Sequence, residues 1–120
     1  MPDRPVVVVT DEARLGAEIS DGMPAGFSMH LAEDARAASR LMVSVTPAVV
    51  VVDIRTGSAG GVGLARDMSQ EARLARVPIL MLLERPQDEW LAKTAGARAT
   101  RTRPVSAEVI ARDIRELASS

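Results

Sequence analysis

Short apolar runs alternate with amphipathic segments along the whole chain. The runs are continuous rather than interrupted at every second residue, which is typical of strands buried on both faces. Their alternation with helical segments predicts βαβ units, and therefore a parallel sheet covered by helices on both sides. The predicted strands are Pro5–Thr10, Phe27–Leu31, Ala48–Asp53, Val77–Leu83 and Ala99–Thr102.

Five segments between and after these strands have helical periodicity. Asp11 is placed to cap the first helix or to lie in its first turn, and Ser106 is placed to cap the last one. Pro86 suits the first turn of the fourth helix and Gly96 its end. The predicted helices cover residues 11–21, 34–43, 62–74, 86–95 and the segment after Ser106.

Length and composition fit one compact domain over residues 1–120. Aromatic residues make up only 2% of the chain, so the core must be built from Val, Leu, Ile, Ala and Met. The 15 basic and 16 acidic residues nearly cancel. Because no strong net field results, nucleic acid and membrane surfaces are not expected partners.

Residue types that are rare or missing narrow the chemistry further. The absence of cysteine excludes disulfides and thiolate metal sites and suits a reducing compartment. His30 is the only histidine, which excludes a multi-histidine metal site. The apolar runs are far shorter than the roughly 20 residues of a membrane-spanning helix. Met1–Arg4 leads straight into the first strand without a secretory signal, so we expect a cytoplasmic protein.

Acidic and basic side chains follow the ends of three predicted strands, where open parallel sheets bind ligands. Asp11 follows the first strand, Asp53 ends the third and Arg103 follows the fifth. Two neighbouring carboxylates repel unless a cation lies between them, and Mg²⁺ accepts such ligands together with water and phosphate oxygens. Asp11 and Asp53 are therefore a candidate magnesium site. Asp53 is also a candidate nucleophile toward phosphorus, with Arg103 placed to hold the anion.

Four segments resemble, in order and spacing, the receiver domains of two-component response regulators, and together they extend over essentially the entire chain. Val6–Glu12 resembles the first strand with its acidic end, and Val49–Arg55 the strand that presents the phospho-acceptor aspartate. Pro78–Leu82 is similar to the fourth strand. The most specific segment is Ala95–Ala97 followed by Arg103–Pro104, which resembles the family's alanine-glycine-alanine stretch and lysine-proline pair.

The resemblance implies a flavodoxin-like fold: a three-layer α/β sandwich with a five-stranded parallel sheet in the order 2-1-3-4-5 and five helices. It implies that Asp53 accepts a phosphoryl group from a histidine kinase, and that Asp11, Asp53 and the backbone carbonyl of Arg55 hold Mg²⁺. It implies a phosphorelay signalling module rather than an enzyme, with a histidine kinase or another signalling protein as partner. Output would pass through protein–protein contact, and a homodimer is a further expectation.

Three positions around the expected site depart from the family pattern in ways that alter the charge or the loop. Thr10 stands where the family usually has the first acid of a pair, so we expect weaker binding of the metal. Arg103 replaces the lysine and adds a planar, bidentate fork. Gly57 replaces a common proline, which loosens the loop after Asp53.

Three other departures concern the conformational switch and the opening of the site. Leu83 occupies the position where the family has a threonine or serine. The hydroxyl of that residue moves toward the phosphoryl group in the family's switch, and leucine has no hydroxyl. Thr100 stands where an aromatic residue often rotates inward. Glu84 replaces a small residue, and its charge should repel phosphate and hinder the donor. We therefore expect an atypical receiver with a weak switch.

Other interpretations remain open from the sequence. The chain could be a pseudo-receiver that docks or dimerises without phosphate, or a small ligand-binding protein or enzyme on the same fold. Asp53 could cap the following turn, and Arg103 could be an ordinary ion-pair partner of Asp53 or Glu84. Trp90 is either a core residue or an exposed partner anchor. The arginines near the fifth strand, Arg98, Arg101 and Arg103, favour a solvated basic face.

Overall fold

Five parallel strands and five α-helices make up the part of the chain that the structure describes, residues 3–55 and 60–119 of a computed structural model. The strands are β1 (Arg4–Val9), β2 (Phe27–Ala32), β3 (Val49–Asp53), β4 (Ile79–Leu83) and β5 (Ala99–Thr102). The helices are α1 (Ala13–Asp21), α2 (Ala35–Leu41), α3 (Gly60–Ser69), α4 (Glu89–Ala95) and α5 (Ala107–Ser119). A 3₁₀ turn, Pro86–Asp88, precedes α4.

The strand order is β2-β1-β3-β4-β5, and every neighbouring pair is parallel. The chain therefore moves outward from β1 to β2 and then returns across β1 to β3. The carboxyl ends of β1 and β3 lie side by side at this reversal, where open α/β sheets place their ligands. The predicted sheet order and fold class are confirmed.

Successive strand residues face opposite sides of the sheet, and each side has its own apolar core. Val7, Val9, Val50 and Val52 contribute to the core beneath α2, α3 and α4. The intervening valines contribute to the core beneath α1 and α5, where the helical residues are Leu15, Ile19, Ile110 and Ile114. Because both faces are covered, the central strands need apolar residues at every position, which is why β1 and β3 are valine runs.

Side chains cap the starts of α2 and α5. Ala37 donates its backbone N–H to Asp34 Oδ1 at 2.8 Å, and Val109 donates to Ser106 Oγ at 3.2 Å. The prediction for Ser106 is confirmed, whereas that for Asp11 is wrong on both counts. The residue at the N-cap of α1 is Glu12, and α1 begins only at Ala13.

Two other helices differ from their predicted limits. The third was predicted to reach Leu74 but ends at Ser69, and hydrogen-bonded turns follow. Leu74 is buried through these turns, so its place in the apolar pattern did not require a continuous helix. The fourth was predicted from Pro86, but this residue opens the 3₁₀ turn and α4 starts at Glu89. Among the described helices, none is long and apolar enough to span a bilayer.

Asp34→Ala is expected to lower the free energy of unfolding by about 1 kcal/mol, because it removes the acceptor for an otherwise unpaired N–H at the start of α2. Urea titration followed by circular dichroism measures this loss. Glu33→Ala is the control, since it removes a carboxylate from the neighbouring exposed residue. Equal stability of Asp34→Ala and the control would contradict the capping role.

Candidate functional site

Asp53 ends β3 and is almost fully buried, with 3% of its surface exposed. The register pairs Val9 with Val52, so the next residues on the two strands, Thr10 and Asp53, lie side by side. Thr10 donates its hydroxyl to Asp53 Oδ2 in a long hydrogen bond of 3.5 Å and accepts the N–H of Glu12 at 3.1 Å. Thr10 stands where receiver domains usually have an acid. Asp53 therefore meets a neutral hydrogen-bond donor at this position instead of a second carboxylate.

The second oxygen of Asp53 accepts the backbone N–H of Arg55 at 3.1 Å. This is the turn contact that the sequence left open as an alternative role for Asp53. It occupies only one side of the carboxylate. Asp53 therefore stabilises the turn after β3 with one oxygen, while its other oxygen contacts Thr10.

The start of α3 approaches the backbone of Asp53 very closely. A Cβ added to Gly61 would lie 3.1 Å from the carbonyl oxygen of Asp53 and 3.1 Å from Ile54 Cα. Gly60 has φ of 66°, which favours glycine, and an added Cβ there would lie 2.9 Å from the Ile54 carbonyl oxygen. The loop that was predicted after Asp53 contains Gly57, and residues 56–59 lie outside the described residues, whereas Gly60 and Gly61 belong to α3. Gly60 and Gly61 thus allow the start of α3 to pack closely against the end of β3.

Arg103 brings a positive charge to Asp53 from the end of β5. Its backbone N–H donates to the Leu83 carbonyl at 2.8 Å, which fixes the residue beside β4. Nη1 lies 3.6 Å from Asp53 Oδ2, and Nη2 lies 2.9 and 2.8 Å from the two carboxylate oxygens of Glu12. The Arg103–Pro104 peptide bond is cis. The pairing of Arg103 with Asp53 is confirmed, whereas Glu12 was not predicted as a site residue.

Glu84 has a different partner from the one considered in the sequence. Its carboxylate lies 2.9 Å from Arg55 Nε, and both side chains are about half exposed. The suggested pairing of Glu84 with Arg103 is therefore wrong. Because Arg55 offsets much of its charge, Glu84 should repel an incoming anion less than was expected. An open cleft of about 470 Å³ lies between the charged side chains of Glu12, Arg55, Glu84 and Arg103, with Pro104 at its edge.

The two positions of the family's switch contain residues of another kind. Leu83 is fully buried within the core beneath α2, α3 and α4. Thr100 is partly buried on β5 and has no ring. A phosphoryl group on Asp53 would thus find no hydroxyl at the end of β4.

The residues predicted to bind magnesium differ in their exposure and in the contacts they already make. Asp11 is exposed one residue beyond Thr10. Residues 3–55 and 60–119 contain no group of three or more His, Cys, Asp or Glu side chains suited to a metal. The ligands that the resemblance implies, Asp11, Asp53 and the carbonyl of Arg55, would supply two carboxylates and one carbonyl, a hard donor set of the kind that Mg²⁺ accepts together with water. A carboxylate has about four lone-pair positions, and Asp53 accepts two hydrogen bonds, from Thr10 and Arg55, with the Arg103 guanidinium beside it. Lone pairs of Asp53 are therefore left for a cation.

An ion pair between β5 and α5, of which only the acid is buried, was not predicted. Arg101 donates from Nε and Nη2 to the two oxygens of Asp113 at 2.8 and 2.9 Å, and Asp113 is only 5% exposed. The hydrogen bond and the charge of Asp113 raise the pKa of Arg101. The predicted solvated face therefore describes Arg101 only in part, since its side chain is 41% exposed but is held by a buried acid. Asp113 adjoins Ile114 in the apolar stripe of α5, and an acid at such a core-facing position was the available signal.

Trp90 lies on the surface of α4 with 75% of its area exposed. The alternative of a core tryptophan is wrong. The other interpretation, a partner anchor, stays a prediction.

Comparison with solved structures shows which fold this is. A chemotaxis response regulator of Vibrio cholerae matches with a TM-score of 0.88 at 20% identity, covering 96% of this chain and 98% of that one. The signal receiver domain of a histidine kinase from Syntrophus aciditrophicus gives 0.87 at 20% identity, covering 97% and 90%. The chain has the fold of receiver domains.

A third match bears on the metal. The receiver domain of a sensor histidine kinase from Pseudomonas aeruginosa PAO1 has a magnesium ion coordinated in its active site cleft, and it matches with a TM-score of 0.83 at 18% identity, covering 98% of this chain and 99% of that one. No protein-family model matches the sequence. Comparison with curated proteins also gives no match.

Proposed function

We propose that this chain is a receiver domain of two-component signal transduction, in which Asp53 accepts a phosphoryl group and the output passes by protein–protein contact. One observation carries the proposal: a buried aspartate at the end of β3 lies beside the guanidinium of Arg103 on a receiver fold. Folds of this class host many functions, so the pair of Asp53 and Arg103 supports the proposed reaction more directly than the fold does.

The proposed reaction is a displacement at phosphorus. One oxygen of the Asp53 carboxylate forms a bond to the phosphorus of a phosphohistidine on the donor kinase, while the phosphorus–nitrogen bond breaks. The electron pair of that bond stays on the imidazole nitrogen, which then takes up a proton. Arg103 stabilises the negative charge on the transferred group, because positioning and electrostatics supply most of the catalysis in phosphoryl transfer.

Magnesium is part of the proposal. Asp11, Asp53 and the carbonyl of Arg55 would hold the ion, and Mg²⁺ would neutralise charge on the phosphoryl oxygens. The magnesium in the cleft of the Pseudomonas receiver domain supports this assignment. Thr10 supplies no negative charge, so the affinity for the ion is expected to be lower than that of a site with three acids.

Incubation with Mg²⁺ and a small phosphodonor, acetyl phosphate or phosphoramidate, tests the proposal. Intact-protein mass spectrometry is expected to show one added phosphoryl group per chain, and none when EDTA replaces Mg²⁺. Asp53 is nearly closed from solvent, so uptake is expected to be slow and should be followed for hours. No incorporation at saturating donor and Mg²⁺ would contradict the proposal.

A second candidate function is the phosphate-independent pseudo-receiver, a docking or dimerisation module. The observations that favour it are the buried Leu83 at the switch position and the guanidinium of Arg103, which two carboxylates already hold. For a pseudo-receiver, no phosphoryl group should be added to the protein in the same mass spectrometry assay, whereas the leading proposal expects one per chain.

Glu84→Gln is expected to raise the initial rate of phosphoryl uptake about threefold, since it leaves the positive charge of Arg55 unpaired at the opening. The increase should shrink as salt screens the charges. Rates measured at low and high ionic strength check this. Glu89→Gln is the matched control, because it removes the same charge from an exposed pair with Lys93 on α4. An equal change in both variants would contradict a local effect of Glu84.

A further inference from the structure

We propose that Arg103 is a two-position switch, held by Glu12 in the resting protein and drawn to the acceptor when Asp53 is phosphorylated. Glu12 would then compete with the phosphoryl group for one guanidinium and act as a positioning residue for it. This inference deepens the proposed function and rests on it.

The resting geometry favours Glu12. Arg103 Nη2 lies within hydrogen-bond distance of both Glu12 oxygens, at 2.8 and 2.9 Å. Its other nitrogen, Nη1, lies 3.6 Å from Asp53 Oδ2, too far for a hydrogen bond. One cation is therefore shared by two carboxylates, and it is bound more closely to the one that takes no part in the proposed reaction.

Phosphorylation would reverse this preference. A phosphoryl group replaces one carboxylate charge with close to two and adds three strong acceptor oxygens. Arginine pairs with such oxygens through two parallel N–H donors, and Nη2 can join Nη1 there only by leaving Glu12. A lysine at position 103 would offer one compact charge without this fork. The replacement of lysine by arginine thus gives this chain a switch that the usual residue could not provide in the same form.

The released residue is well placed to change the surface. Glu12 is the N-cap residue of α1, and its side chain makes no capping hydrogen bond. Its backbone N–H donates to Thr10 Oγ1, and the same hydroxyl donates to Asp53. A change at the Asp53 carboxylate can therefore pass through Thr10 to the connection between β1 and α1. Because Leu83 and Thr100 lack the usual switch groups, the response is assigned to the ends of β1 and β5 rather than to β4.

Beryllofluoride, which mimics the phosphoryl group, is the probe for a double-mutant cycle. Its affinity is measured at saturating Mg²⁺ by ¹⁹F NMR for wild type, Glu12→Gln, Arg103→Ala and the double variant. Glu12→Gln is expected to tighten binding about fivefold, the equivalent of roughly 1 kcal/mol for a partly exposed ion pair. In the Arg103→Ala background the same change is expected to have no effect. Glu18→Gln, which removes a charge from the exposed pair with Arg14 on α1, should leave the affinity unchanged.

The cycle separates the competing explanations. A Glu12→Gln effect that persists without Arg103 would show a general charge effect and overturn the switch, as would weaker binding in Glu12→Gln. If wild type binds no beryllofluoride, the proposed function itself fails. Binding with no coupling between residues 12 and 103 leaves the acceptor proposal standing and overturns this inference alone. Thermal unfolding shows whether each variant is folded. If Arg103→Ala does not fold, Arg103→Lys replaces it in the cycle. In the Arg103→Lys background the effect of Glu12→Gln on the affinity should be reduced.

Discussion

Asp53→Asn is expected to reduce phosphoryl incorporation from a small donor to background while leaving the protein folded. The amide has nearly the same shape as the carboxylate but cannot act as a nucleophile toward phosphorus. Arg103 keeps Glu12 as a partner in this variant, so no buried cation is left unpaired. Intact-protein mass spectrometry at saturating donor and Mg²⁺ measures the loss.

Asp11→Asn is the companion variant for this prediction. It keeps the proposed nucleophile and removes one proposed metal ligand, so incorporation should persist but require a higher Mg²⁺ concentration. Wild-type incorporation in Asp53→Asn would show that another residue is modified and would remove Asp53 from the account.

Arg101→Ala is expected to lower the free energy of unfolding by about 2 kcal/mol. The substitution leaves the carboxylate of Asp113 buried without its cation, and breaking a buried pair by removing one partner is strongly destabilising. The value is reduced from that of a fully buried pair because the Arg101 side chain is 41% exposed. Denaturant unfolding followed by circular dichroism measures it.

Two further variants separate the ion pair from the loss of side-chain packing. Arg112→Ala removes an exposed arginine one position before Asp113 and should change stability by less than about 0.5 kcal/mol. Arg101→Met with Asp113→Leu replaces the pair by apolar groups and should recover much of the loss. A loss in Arg101→Ala no larger than that in Arg112→Ala would contradict a stabilising role for the pair.

The sheet and its strand order could be predicted because two features of the sequence indicate them directly. The valine runs of β1 and β3 mark strands covered on both faces, and the motif order placed them in a known topology. The end of α3 could not be predicted, because Leu74 reaches the core from a turn as well as it would from a helix. The limits of such elements depend on tertiary packing rather than on periodicity.

Part of the site could be predicted because the positions of its residues relative to the strands can be read from the sequence. Asp53 ends a strand and Arg103 follows one, and parallel strands bring such residues to one edge of the sheet. The partners of Arg103 and Glu84 could not be predicted, since they depend on the conformations of long side chains. Glu12 and Arg103 are 91 residues apart. No local spacing distinguishes Glu12 from Glu84 as the partner of Arg103, so only the folded arrangement assigns it.

The most direct measurement for the central claim identifies the phosphorylated residue. Borohydride reduction of the phosphorylated protein converts an aspartyl phosphate to homoserine, and peptide mass spectrometry then locates it in the sequence. We expect homoserine at position 53 and nowhere else. Homoserine at another aspartate, or its absence from a protein shown to have taken up phosphate, would contradict it.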